Sequence, residues 1–198
     1  KVLEIKNLAK NKKIIIFPPT IDYTYMKQRP QHFADEFAKK DYFVIYTTLN
    51  HKTDKVDYFQ QINENLILIN ESLLYYLSHA FFREDVIFYC MWPNNNRYAK
   101  IIQHAYLIYD YMDELDLLES NHEELIHQHN VLLEKANLIT VSAQKLYDSI
   151  DENYREKILL LPNAVDEEFL TSIETTKTIP NEIKLIRNNY KRIIGYYG

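Results

Sequence analysis

Short, unbroken apolar runs alternate with helix-like segments along most of the chain, and this alternation constrains the fold more than any other feature. The first run, Ile-Ile-Ile-Phe at residues 14–17, contains no polar residue, which is typical of a strand buried on both faces. Two prolines end it, because proline cannot donate to a strand ladder. Similar runs follow at residues 42–46, 66–69, 86–91, 105–109, 138–141 and 158–161.

Helical segments fill the intervals between these runs. The first is expected to begin at Pro30, since proline suits the first helical position, and its apolar residues recur at helical spacing. Such alternation predicts an α/β fold with a doubly wound, Rossmann-like parallel sheet and helices on both faces. The other helices are expected at residues 72–82, 94–103, 115–135 and 143–150.

The composition excludes several classes of protein. A formal net charge of −5 argues against a nucleic-acid partner, which needs clustered cations. No apolar run reaches the roughly 18 residues that span a bilayer. The single Cys90 is expected to be a small buried hydrophobe, and it favours a cytoplasmic location. Only two glycines, Gly195 and Gly198, almost exclude a glycine-rich phosphate loop or a dinucleotide fingerprint.

Ligands of open parallel sheets bind outside the carboxyl ends of the strands, so the segments after each strand are the candidate site. Arg29 and Gln31 lie where the first such loop meets a helix. Backbone N–H groups at a helix start attract anions, and a guanidinium adds a fork of donors for phosphate. The structural alternative is that both side chains cap or solvate the helix end. The candidate segments are residues 18–29, 92–96, 110–116, 142 and 162–166.

Four carboxylates follow the fifth of these strands, at Asp110, Asp113, Glu114 and Asp116. Crowded acids can have a raised pKa, which suits a general base that deprotonates a hydroxyl. The alternative is structural, because Asp113 and Asp116 also have the spacing of a helix N-cap with an acidic first turn.

Two histidines fall on the apolar stripe predicted for the long helix. His122 and His129 are about two turns apart, too far to chelate one ion, so core or cleft-lining roles are favoured and no metal site is expected. After the last strand, Asn163 can hold a turn, an account that needs no ligand.

Taken together, several segments resemble the amino-terminal domain of two-domain retaining glycosyltransferases of the GT-B fold, the group called family 4 or group 1. The resemblance covers roughly residues 13 to 198, and the sequence departs from it in having no glycine at 18–29, Ala164 in place of glycine and Asn137 in place of aspartate. The matching segments are Arg-Pro-Gln-His-Phe-Ala at 29–34, Tyr-Asp-Tyr-Met-Asp-Glu at 109–114, Ala-Asn-Leu-Ile-Thr-Val-Ser-Ala at 136–143, Leu-Pro-Asn-Ala-Val-Asp at 161–166 and the run at 193–198.

The resemblance implies that residues 1–170 form the acceptor-side domain and residues 171–198 a linker and the first strand of a truncated donor-binding domain. The intact enzyme would transfer a sugar from a nucleotide-sugar donor to a hydroxyl acceptor without metal or cofactor, and the chain alone is expected to be inactive. The acceptor would be a cell-surface glycan or lipid-linked sugar. The enzyme would be cytoplasmic and would associate peripherally with the inner membrane face. Asp113 would be catalytic, Arg29, Gln31 and Asn163 would face the donor phosphates or cleft, and Tyr111, Glu114 and His122 would line the acceptor side.

A competing interpretation is a non-catalytic α/β module, either an interaction domain or a receiver. A receiver needs a phosphorylatable aspartate in an acidic pocket, which Asp113 could imitate. However, Pro18 and Pro19 occupy the place where two further acids are needed after the first strand.

Overall fold

The structure is a computed structural model that describes residues 1–115, 122–165, 170–171, 179 and 181–194. It comprises two compact units, Lys1–Asn163 and Ala164–Gly198. In the second unit the described helix is Asn181–Asn189, and its apolar residues Ile183, Leu185 and Ile186 are exposed. No helix within the described residues is long and apolar enough to cross a membrane.

The first unit is built on an eight-stranded sheet of order β3-β4-β2-β1-β5-β6-β7-β8. All neighbouring strands are parallel except β3 and β4, which form an antiparallel pair. The predicted doubly wound, Rossmann-like α/β fold is therefore confirmed. The strands are β1 (Ile14–Phe17), β2 (Phe43–Thr47), β3 (Phe59–Asn63), β4 (Leu66–Ile69), β5 (Val86–Cys90), β6 (Tyr106–Tyr111), β7 (Leu138–Val141) and β8 (Ile158–Leu160).

Helices connect the parallel strands. Several are shorter than the sequence predicts, and α1 was not predicted at all. The predicted start of the long helix, at residues 116–121, lies outside the described residues. The helices are α1 (Val2–Leu8), α2 (Arg29–Lys39), α3 (Glu71–Tyr76), α4 (Asn96–Ala99), α5 (His122–Lys135), α6 (Gln144–Ser149) and, in the second unit, α7 (Asn181–Asn189), with 3-10 turns at Arg83–Asp85, Pro93–Asn95 and Glu152–Lys157.

The core lies on both faces of the sheet because successive strand residues point to opposite faces. In β1, Ile14 and Ile16 join one hydrophobic cluster, whereas Ile15 and Phe17 join the other. The second cluster is rich in aromatic rings, with the centroids of Phe17 and Tyr89 4.9 Å apart. Cys90 is fully buried, as predicted.

One strand corrects the expectation of an all-parallel sheet. The polar residues of β3 are exposed, and its ladder with β4 contains an irregularity between Gln61 and Asn63. The sequence Phe-Gln-Gln-Ile-Asn lacks the apolar run of a buried strand, so it gave no strand signal. An antiparallel strand at the edge of a sheet pairs with one neighbouring strand and can face water, so it does not need a continuous apolar run.

Among the residues that the structure describes, four that are not glycine have left-handed backbone. Asn11, Met26, Asp41 and Asn50 have φ between 39° and 65°. Asparagine and aspartate tolerate this region better than other side chains, because their short polar groups bond locally.

Candidate functional site

The crevice of this sheet lies at the carboxyl ends of β1 and β5. The chain passes from β1 to β2 on one side and later returns to β5 on the other, so the strand order reverses between β1 and β5. Asn95, in the turn after β5, closes one side of the crevice, since its Nδ2 donates to Pro19 O at 2.7 Å. Asn95 is buried, which fixes the two loops against each other.

An ion pair between Arg29 and Asp110 lies beside this crevice. Arg29 is the first residue of α2. Asp110 lies within β6, whereas the sequence prediction placed it directly after the strand. The guanidinium donates from Nε to one carboxylate oxygen at 2.7 Å and from Nη2 to the other at 2.9 Å. The Asp110 side chain is fully buried and that of Arg29 is 9% exposed. Such fork-to-fork geometry fixes both side chains.

Further contacts extend this pair into a network that joins four segments. The Thr140 hydroxyl on β7 donates to Asp110 Oδ1 at 2.6 Å. Asn163, which follows β8, accepts at its Oδ1 from Arg29 Nη1 at 3.1 Å. The guanidinium also lies 4.6 Å from the centroid of the Phe33 ring. Burial and the nearby Asp110 carboxylate raise the pKa of Tyr89 above its usual range. We call Arg29, Asp110, Thr140 and Asn163 the arginine network.

Gln31 has a structural role at the start of α2. Its Oε1 accepts from the backbone N–H of Gln28 at 3.1 Å, and its Nε2 donates to the carbonyls of Asp22 and Tyr25 at 3.1 and 3.0 Å. The side chain is buried. This geometry matches the capping alternative considered from the sequence, and a contact with a donor stays a prediction.

Two buried aspartates that the sequence did not single out lock the loops after β1 and β2 together. Asp22 accepts from the backbone N–H groups of Lys52 and Thr53 at 2.6 and 2.9 Å, while Asp54 accepts from that of Tyr23 at 2.6 Å. Burial opposes ionisation of Asp22, but the backbone N–H groups of Thr53, His51 and Lys52 outweigh it and lower its pKa to about 2. The reciprocal bonds therefore hold one wall of the crevice in place.

Asp113 and Glu114 follow β6 at the same edge of the sheet. The Asp113 side chain is exposed, so it is accessible to a ligand, whereas Glu114 is bound by Lys145 Nζ at 2.6 Å. Tyr111 is buried and its ring stacks on that of Tyr109 at 6.1 Å. Asp116 lies outside the described residues, so the helix-cap alternative for Asp113 and Asp116 stays a prediction.

The two histidines of α5 have different surroundings. His129 lies 4.7 Å from the Tyr111 ring centroid, and its Nδ1 is 2.7 Å from the Tyr109 hydroxyl. Burial lowers the pKa of His129 to about 4. His122 is the first residue of α5 and is exposed, which corrects the expectation of a core position for it. In the described ranges, no cluster of three or more metal-ligating side chains occurs.

No family model and no curated protein matches the sequence. Among solved structures, the chain is similar to a sucrose-phosphate synthase from Thermosynechococcus elongatus, with a TM-score of 0.53 and 10% sequence identity. The match covers 82% of this chain and 96% of the other. At this identity the likeness concerns the fold, and it supports a GT-B-like Rossmann architecture for the chain.

Proposed function

We propose that this chain is the acceptor-side domain of a glycosyltransferase that moves a sugar from a nucleotide-sugar donor to a hydroxyl acceptor. The observation that carries the proposal is the arginine network, because its members come from four of the segments that resemble family 4 glycosyltransferases. Arg29, Asp110, Thr140 and Asn163 are separated by up to 134 residues in sequence, yet hydrogen bonds join them at one edge of the sheet. The fold likeness to a sucrose-phosphate synthase points in the same direction.

In this proposal the acceptor side of the crevice is formed by the segment after β6. Asp113 is exposed there and would accept the proton of the attacking hydroxyl as a general base. Tyr111, the last residue of β6, lies two residues before Asp113, Glu114 follows it directly, and His122 begins the helix that follows. Transfer would proceed with retention at the anomeric carbon, and the acceptor would be a cell-surface glycan or a lipid-linked sugar.

The donor would face Arg29 and Asn163. Two of the three guanidinium nitrogens bind Asp110, and Nη1 binds Asn163, so each terminal nitrogen keeps one further N–H. These remaining N–H groups would bind phosphate oxygens of the nucleotide sugar at the helix start, where backbone N–H groups also favour an anion. Gln31 would contribute by holding the loop that covers this end of α2.

The test is an assay of the full-length protein with a panel of nucleotide sugars and saccharide acceptors, measuring release of nucleoside diphosphate and the anomer of the product. Asp113→Asn should lower turnover at least about tenfold and change stability by less than about 1 kcal/mol, as expected for an exposed side chain. Asp148→Asn is the matched control, since Asp148 is an exposed aspartate on α6 outside the crevice, and it should retain full turnover.

Arg29→Lys separates a donor contact from a purely structural ion pair. An ammonium cannot reproduce the two-point fork, so the Michaelis constant for the donor should rise while that for the acceptor stays constant. No transfer across the whole panel by the full-length protein would refute the proposal and favour the non-catalytic module.

A further inference from the structure

A groove of about 240 Å³ opens at the edge of the sheet opposite the crevice. It lies at the amino ends of β5, β6 and β7, where Arg83, Ala105 and Asn137 form parts of its wall. The C-terminal ends of α4 and α5 add Lys100 and Lys135. This edge plays no part in the proposed sugar transfer, so the groove is independent of that proposal.

The groove brings three cationic side chains together from separate elements. Arg83, Lys100 and Lys135 all line it, and no described carboxylate is part of its lining. Among the described residues, the ammonium groups of Lys100 and Lys135 form no ion pair and no hydrogen bond. Like charges that share a concave surface repel one another, and an anion bound among them would relieve this repulsion.

Arg83 is held in an orientation that leaves its fork available. Its Nε donates to the backbone carbonyl of His104 at 2.9 Å, so both terminal nitrogens remain for a ligand. Burial, followed by the charge of Arg83, lowers the pKa of His104, although its bond to the Ile102 carbonyl opposes this change. The lowered pKa favours the neutral form of His104, so the positive charge of the groove comes from Arg83, Lys100 and Lys135.

Asn137 supplies a fixed amide donor. Its Oδ1 accepts from the backbone N–H of Leu107 at 2.8 Å, and its own backbone N–H donates to the Leu107 carbonyl at 2.9 Å. Since the atom that accepts from the Leu107 N–H must be the amide oxygen, the other amide atom is Nδ2, a donor. Nδ2 is therefore the end of the Asn137 amide that is available in the groove lining. An aspartate at this position would place a carboxylate among the cations.

We propose that this groove binds a phosphate group. An arginine fork, two ammonium groups and an amide N–H match the acceptor oxygens of a phosphate, and the volume suits a phosphate with a small organic substituent. The group could belong to a small phosphorylated metabolite or to a lipid headgroup. Phe82 is 81% exposed next to Arg83, a feature that a membrane surface would cover.

The test measures binding of inorganic phosphate and glycerol phosphate to the intact protein by phosphorus NMR, at constant ionic strength set with chloride. Lys100→Gln and Lys135→Gln should each weaken binding about two- to fivefold, as expected for exposed charges. Asn137→Asp should weaken it about tenfold and leave the melting temperature nearly unchanged, because the carboxylate still accepts from Leu107.

Lys39→Gln is the matched control, because Lys39 also lies in the last turn of a helix but pairs with Glu36 and does not line the groove. It should bind phosphate as the wild type does. In a second arm, vesicles of phosphatidylcholine with phosphatidylglycerol replace the soluble phosphates. Saturable binding of the soluble ligands assigns a small-molecule source, and binding of the vesicles alone, weakened by Asn137→Asp, assigns a lipid headgroup. Binding in neither arm, or equal loss in Lys39→Gln and Lys135→Gln, overturns the proposal.

Discussion

The buried ion pair between Arg29 and Asp110 predicts a large loss of stability when one partner is removed. Asp110→Asn preserves the size of the side chain but leaves a guanidinium that is 9% exposed without its counter-charge. Breaking a buried pair in this way costs about 3–5 kcal/mol. The asparagine oxygen can still accept one of the two bonds, and Asn163 still accepts from Nη1, so we expect the lower end, about 3 kcal/mol. For a chain of this length that lowers the melting temperature by about 6–12 °C.

Urea unfolding followed by circular dichroism measures this loss, and a double-mutant cycle shows its cause. Arg29→Met with Asp110→Asn removes both charges, so the double variant should be clearly more stable than the sum of the single losses implies. Lys145→Gln breaks the exposed pair with Glu114 and should cost less than about 1 kcal/mol. A loss below about 1 kcal/mol for Asp110→Asn, with an unchanged denaturant slope, would refute the reasoning.

Three further predictions concern other buried groups. The pKa of His129 is lowered to about 4 whereas the unfolded chain titrates near 6.5, so the unfolded state binds the proton first. The free energy of unfolding should therefore be highest above about pH 6.5 and decrease by about 2 kcal/mol toward pH 4, a figure reduced for the partial exposure of the ring. In His129→Gln, the urea midpoint should depend less on pH over this range. Asp22→Asn should cost about 2 kcal/mol and accelerate hydrogen exchange of the Lys52 and Thr53 amides, with unchanged exchange refuting the loop lock. Burial raises the pKa of Cys90 to about 12, so its reaction with a thiol reagent should occur only through unfolding, and fast native labelling would contradict this.

The sequence predicted the buried part of the fold well because continuous apolar runs are a direct signal of strands buried on both faces. The runs that begin near Ile14, Phe43 and Leu66 all became fully buried strands. The strand Phe59–Asn63 escaped prediction because its residues are mostly polar and exposed, so its place depends on pairing with β4 rather than on its own composition.

The candidate site was predicted only in part. Placing Arg29, Asp113 and Asn163 at the carboxyl edge followed from the parallel topology. The bonds that position them could not be read locally, since Arg29 and Asp110 are 81 residues apart. Asp22 and Asp54 gave no signal either, because an isolated loop aspartate looks the same whether it is solvated or buried among backbone N–H groups.

The left-handed residues Asn11, Asp41, Asn50 and Met26 have a consequence for the unfolded chain. An average chain of this length has about 14 glycines, and this one has two. Replacing a glycine with a residue that has a side chain lowers the conformational entropy of the unfolded backbone, which stabilises the folded state by about 0.4–1 kcal/mol. The folded state accepts mild strain at these four positions, while the unfolded chain has less entropy to lose on folding. Glycine at Met26, whose side chain is 59% exposed, would therefore relax the backbone at this position and at the same time favour the unfolded ensemble, so these two effects on stability oppose each other.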